Sequence, residues 1–250
     1  EYCDIWKIKP KDELALENIK SSFKGIEKDI YWISLSGGEV TLVNYFYEMI
    51  DYFKKNLPNL KIIAFTTNAL APNKALQYAD YINKNGFDPL ITISLDGDEE
   101  LHDNIRGIKG NFIKCENLYK ELTNKKIKTH YGITVSDKNS NFIINQYHKW
   151  KNKIKAVTIV HSEGIYNKKN EQEDDKLIKS LEHIYKTYNI KNISEIVELI
   201  HIKLSILFLK MKRKKNVIPC DVLNSSLHIM AQGDIKPCMF MPSLGNIKND

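Results

Sequence analysis

Five stretches of the chain are apolar and rich in β-branched or aromatic side chains: 29–36 (DIYWISLS), 60–67 (LKIIAFTT), 89–96 (PLITISLD), 127–135 (IKTHYGITV) and 155–161 (KAVTIVH). Between them, apolar residues recur at helical spacing over 42–56, 73–85, 112–123 and 141–151. Strand and helix alternate, which predicts parallel βαβ units and an α/β fold. The runs are continuous rather than strictly alternating, so burial on both faces is expected, as in a barrel or a doubly wound sheet. In either architecture ligands sit at the carboxyl ends of the strands. Polar residues and glycines collect at those ends, as Ser36-Gly37-Gly38-Glu39, Thr66-Thr67-Asn68 and Ser94-Leu95-Asp96-Gly97. One such cluster serves a turn; three in succession predict a shared site.

The pattern changes after residue 165, where a charged, loop-like segment leads to helical stretches at about 173–188 and 193–214. The segment SLHIMAQGDIKPC then reads as a hairpin turning at Gln232-Gly233-Asp234, so the tail from Cys220 is expected to form a separate small unit. The most apolar stretch, 196–209, is interrupted by Glu198, His201 and Lys203. It falls short of the ~20 residues needed to span a bilayer. Its basic end, KMKRKK, suits a membrane surface, but the reading adopted is an amphipathic helix packed on the domain. The sequence shows no internal repeats and no low-complexity tract, and no signal peptide is expected.

Composition narrows the picture. A chain of 250 residues with 42% hydrophobic and 27% charged side chains is globular, not disordered. The net charge of +6 comes almost wholly from lysine, since Arg106 and Arg213 are the only arginines. A nucleic-acid binder usually shows an arginine-rich stripe or stacking aromatics; neither is present, and no nucleic-acid partner is expected. Cys3, Cys115, Cys220 and Cys238 lack a secretory context, which leaves metal or cluster ligation or inert burial rather than disulfides. The chain starts on Glu1 without an initiator Met and is read as a piece of a longer protein.

With SGGEVTL at 36–42, TTNAL at 66–70, ISLDGDEELHDNIRGIKGNF at 93–112 and the YC of residues 2–3, the chain resembles the radical S-adenosylmethionine enzymes over nearly its whole length. Each motif is weak alone; four in the right order at strand ends are specific. The resemblance implies a partial (β/α)6 TIM-type barrel whose first strand and two cluster cysteines lie upstream of residue 1. Cys3 then matches the third cysteine of a loop whose thiolates hold a [4Fe-4S] cluster. Gly37 and Gly38 expose main-chain polar groups to the methionyl part of S-adenosylmethionine (AdoMet), and Glu39 accepts from its α-ammonium. Arg106 suits the cofactor carboxylate, a surface pair with Asp103 being the alternative. Ser94 and Asp96 are expected at the ribose or carboxylate, and Thr67 and Asn68 at the cofactor. Val40 stands where the family has proline, and Ala69 where it has glycine.

Cys220, twelve residues, Gly233, four residues and Cys238 resemble the opening of the SPASM or twitch extension, which implies an auxiliary [4Fe-4S] cluster. SLGNI at 243–247 resembles the segment that follows in that family. A structural zinc site is the competing reading. Cys115 reads as buried packing, and His102 and His161 as structural. The division expected is a core over 1–165, a helical linker over 166–216 and the start of the extension over 217–250. By resemblance, a reduced cluster cleaves AdoMet and the resulting 5'-deoxyadenosyl radical abstracts hydrogen from substrate. A peptide is the leading substrate. A small-molecule cofactor precursor, or a non-catalytic binding or scaffold role, are the alternatives. A flavodoxin or ferredoxin as electron donor and a cytoplasmic, low-oxygen setting complete the expectation.

Overall fold

The computed structural model describes residues 13–161, 173–212, 222–238 and 241–249. A short helix α1 (Leu16–Ser21) precedes β1 (Trp32–Leu35), and α2 (Phe46–Asn56) leads to β2 (Ile62–Thr67). Then come α3 (Pro72–Lys84), β3 (Asp88–Ser94), α4 (Glu99–Arg106), α5 (Asn111–Asn124), β4 (Lys128–Val135), α6 (Ser140–Gln146) and β5 (Ile154–Ile159). The strands form one parallel sheet in the order β1-β2-β3-β4-β5. This is the α/β class expected, and it matches a partial barrel.

Local chemistry sets the element bounds. Pro72 opens α3 at a position where a missing N–H costs nothing. Ala75, Tyr78, Ala79 and Ile82 then form its buried stripe. Helix α2 starts at Phe46, not at residue 42 as the apolar spacing suggests, because 40–42 form a 3-10 turn capped by the Glu39 side chain. Similarly α6 ends at Gln146 and gives way to a 3-10 turn over Tyr147–Lys149.

One face of the sheet departs from expectation. Ile63, Phe65, Ile91, Ile93, Tyr131, Ile133 and Val157 lie in the core beneath the helices, where the Phe46 and Tyr78 rings stack at 3.6 Å. Of the residues that alternate with them, Ala64 is buried, but Thr66, Thr92, Ser94, His130, Thr134 and Thr158 are half-buried or exposed. The strands therefore alternate after all. β-branched threonine favours strand geometry as valine does, so it blends into an apolar run read one residue at a time.

Helices α7 (Asp174–Thr187) and α8 (Ile193–Lys210) pack on each other, α7 also against α6 and α8 against β5. Asn192 caps α8 by accepting from Glu195 N at 3.1 Å. Ile202, Ile206 and Leu209 face inward, as expected of a packed amphipathic helix, while Ile193, Val197 and Ile200 remain exposed. Among the described residues no helix is long and apolar enough to cross a membrane.

A short helix α9 (Val222–Ser225) precedes β6 (His228–Ile229), β7 (Asp234–Lys236) and β8 (Gly245–Asn246), which form a small antiparallel sheet. The expected hairpin is present. Gly233, at φ +98°, donates its N–H to Met230 O at 2.9 Å, and a Cβ there would lie 2.6 Å from Asn246 Oδ1. Positive φ and this close approach together require glycine. Asn246, within SLGNI, ties the turn by donating to Gln232 O and Asp234 Oδ1 at 3.2 and 3.0 Å.

Candidate active site

The carboxyl ends of β1, β2 and β3 are joined by one hydrogen-bonded chain of side chains. After β1, Gly37 adopts φ +129°, a conformation that L side chains rarely take. A methyl group built on Gly37 or Gly38 would meet no atom of the described residues within 4 Å, so among them the space before this backbone is open. Glu39 turns back toward β2. Its Oε1 accepts from Thr67 Oγ1 at 2.8 Å, from Thr41 Oγ1 at 3.0 Å and from Thr41 N at 3.4 Å. Its Oε2 accepts from Asn68 N at 2.8 Å. Thr67 is buried and in turn accepts from Ala69 N at 3.1 Å.

Asn68 continues the chain into β3. Its carbonyl accepts from Asn111 Nδ2 at 2.9 Å, and Asn111 Oδ1 lies 3.0 Å from His102 Nε2. Asp96 N donates to His102 Nδ1 at 3.1 Å. An accepting Nδ1 places the His102 proton on Nε2. Burial, then the Arg106 charge, lower the pKa of His102 and favour this neutral form. Asp96 is wholly buried, and its Oδ2 lies 2.7 Å from Arg106 Nε, whose side chain is 27% exposed. Neither atom completes a directed hydrogen bond among the described residues. The guanidinium is therefore held by charge at the rim of the site, with bonding capacity to spare. Asn139 adds the end of β4, donating to Asp96 O at 3.1 Å and Thr134 O at 2.9 Å.

Of the sequence-predicted residues, Gly37, Gly38, Glu39, Thr67, Asn68, Ser94 and Asp96 thus lie along adjoining strand ends, and Arg106, the last residue of α4, reaches Asp96. Arg106 pairs with Asp96 and not with Asp103. Asp103 instead accepts from Gly110 N and from Phe112 N at 2.9 Å, pinning the start of α5. Ser94 is half-buried at the last residue of β3. Cys115 is buried beside His102, and burial pushes its thiol up to about 12, so it is inert packing. Cys3 and Cys220 lie outside the described residues; Cys238 is a half-buried free thiol. Among the described residues no group of three or more His, Cys, Asp or Glu is placed to hold a metal. Sequence reading missed Asn111 and Asn139, which resemble ordinary helix-start residues, and found no partner for His102. Only the fold brings these side chains to the strand ends.

No protein-family model matches the chain. The chain is similar to the following proteins. A cysteine-type anaerobic sulfatase-maturating enzyme of Clostridium novyi (strain NT) is 32% identical over 139 residues, 53% of this chain and 36% of that protein. The chain thus spans about a third of that relative's length. The structure of histidine-tagged anSMEcpe with bound AdoMet superposes with a TM-score of 0.64 at 18% identity, covering 94% of this chain and 65% of that one. Native anSMEcpe with bound AdoMet and Cp18Cys peptide gives 0.60 at 18% identity, over 96% and 69%. At this identity the structural likeness establishes the fold.

Proposed function

We propose that this chain is the core of a radical AdoMet enzyme that modifies a peptide or protein side chain. The carrying observation is the network that joins the ends of β1, β2 and β3, with Glu39, next to the open Gly37-Gly38 backbone, at one end and Arg106, held by buried Asp96, at the other. The sulfatase-maturating relative and the peptide bound by its structural neighbour support the peptide reading.

The residues present fit AdoMet. Gly37 and Gly38 leave main-chain polar groups unobstructed, and Glu39 keeps an accepting direction on Oε2 for an α-ammonium. Its other acceptor sites brace the β1 and β2 loops. Arg106 meets a carboxylate with its planar fork. Asp96, fully buried, acts as a positioning residue for Arg106 rather than as a direct contact. Ser94 suits a ribose hydroxyl, and Thr67 and Asn68 keep the loop in place. Cys3 would hold the [4Fe-4S] cluster, and Cys220 and Cys238 an auxiliary one. When bound, cluster and AdoMet supply one-electron cleavage of the sulfonium and hydrogen abstraction, which the protein orients and shields from water. The division of labour is a core over 1–165, a linker over 166–216 and the beginning of a cluster-binding extension over 217–250. A flavodoxin or ferredoxin would serve as reductant, and oxygen-labile clusters suit a cytoplasmic, low-oxygen setting.

The test is AdoMet binding to the full-length protein, reconstituted without oxygen, beside Arg106→Lys. Binding by the wild type, weakened about 10-fold or more by loss of the bidentate fork, is the expected outcome. Absence of AdoMet binding in reconstituted, folded wild type overturns the reading.

A further inference from the structure

The two ends of the parallel sheet differ in charge. Helices run back against the strands they follow, so helix carboxyl ends meet strand amino ends at one pole, opposite the candidate active site. Exposed lysines crowd that pole: Lys54 in the last turn of α2, Lys61 ahead of β2, Lys84 at the end of α3, Lys126 and Lys128 between α5 and β4, and Lys149 before β5. Hydrogen bonds hold these loops side by side, with Asn59 Nδ2 donating to Lys28 O at 2.7 Å, Asp88 N to Lys61 O at 2.8 Å and Tyr131 N to Lys153 O at 2.8 Å. A lysine near a helix carboxyl end complements the helix dipole, which accounts for Lys54 and Lys84. It does not account for Lys61 and Lys128, which adjoin strands, or for Lys126, whose φ of +60° is one that glycine or asparagine ordinarily takes. Carboxylates at this pole are fewer: Asp80 is taken by Lys125 at 2.9 Å, and Asp29, Asp88 and Glu121 are exposed. At the active-site pole, Lys109, Lys114 and Lys138 stand among exposed Glu99, Glu100 and Asp175, at the starts of α4 and α7. Ile26 and Tyr31, in the loop that enters β1 at the lysine pole, are 40% and 61% exposed.

We propose that the lysine pole docks on an anionic phospholipid bilayer and holds the protein there peripherally, with the active-site pole turned to solution. Ammonium groups spread over separate loops act as point charges, which suits a diffuse layer of headgroup phosphates. Nucleic acid fits less well, because phosphate and base recognition favours the forked guanidinium. Arg106, the arginine among the described residues, sits at the opposite pole. Ile26 and Tyr31 add apolar surface that can enter the headgroup layer beside the charges. Such docking needs no spanning segment, in keeping with the lack of a helix long and apolar enough to cross a membrane among the described residues. The uneven charge also turns the lysine pole toward an anionic surface before contact, because the field acts on the whole molecule.

The experiment co-sediments full-length protein, reconstituted without oxygen, with vesicles of phosphatidylcholine alone or mixed with phosphatidylglycerol. Binding to the mixed vesicles only, weakening as salt is raised, is expected. The triple variant Lys61→Gln, Lys126→Asn, Lys128→Gln should bind them about 10-fold or more weakly. Asparagine tolerates the positive φ of residue 126, so the turn is kept. The triple variant Lys109→Gln, Lys114→Gln, Lys138→Gln removes the same charge from the other pole and should stay within about 2-fold of wild type. Absence of binding to the mixed vesicles overturns the proposal. Equal loss in the two triple variants also overturns it, since net charge and not the lysine pole then governs binding. A duplex oligonucleotide bound as tightly as the vesicles at equal phosphate concentration and salt, with the same loss in the lysine-pole variant, overturns the membrane assignment in favour of nucleic acid.

Discussion

At the residue scale, Glu39 is tied to Thr41, Thr67 and Asn68 through both carboxylate oxygens. Glu39→Ala leaves the buried Thr67 hydroxyl and the Asn68 N–H without their acceptor, so a loss of about 1–3 kcal/mol is expected in denaturant unfolding. Ala69 shows how the family's glycine position is used without glycine: it is fully buried at φ +58°. A methyl group tolerates that conformation, but a β-branched side chain does not, and Ala69→Val should destabilise by about 2–3 kcal/mol in the same measurement. Asp103 supplies a pH test. Burial pushes its carboxyl up, but the backbone N–H groups of Phe112 and Gly110 outweigh this and leave its pKa below the usual value. A depressed folded-state pKa contributes stability above the unfolded value that is lost as pH falls through the folded one. Wild type should therefore lose more stability than Asp103→Asn on acidification from the ordinary carboxylate range downward, as followed by thermal melting.

Among the elements, β5 is an edge strand whose Val157 N–H is taken up by Glu198 Oε1 of α8 at 2.7 Å. The helix thus closes a sheet edge that would otherwise offer its donors to another chain. Burial raises the Glu198 pKa to about 7 against the lowering effect of the Val157 N–H. Because the folded state holds this proton more tightly than the unfolded one, stability at this site falls as pH rises from the ordinary glutamate range to about 7. The slope is at most about 1.4 kcal/mol per pH unit. Glu198→Gln should flatten the wild-type stability profile between these limits in urea titrations. In the small sheet, Gly233→Ala forces Cβ against Asn246 Oδ1 at a positive φ. Faster amide exchange at Met230 and Ile247, whose N–H groups bond to Asp234 O and Gly233 O, should report the loosened hairpin.

For the whole molecule, the proposed auxiliary cluster is checked by iron and acid-labile sulfide on full-length reconstituted protein. About four irons should be lost in the Cys220→Ala, Cys238→Ala double variant; unchanged iron overturns the auxiliary-cluster assignment. The sequence by itself determined the α/β class, the five parallel strands and the three polar strand ends, because period and turn chemistry are local properties. It also determined the hairpin at Gly233, whose turn residues lie next to one another. Tertiary structure decided which partner each polar group takes. Arg106 meets Asp96 ten residues away rather than Asp103, and Asn68, Asn111 and His102 meet across a span of 43 residues between Asn68 and Asn111. Tertiary structure also decided which face of the sheet enters the core, since threonine and valine serve a strand equally well and only the packing of helices against Ile63, Phe65, Ile91, Ile93, Tyr131 and Ile133 reveals the buried rows.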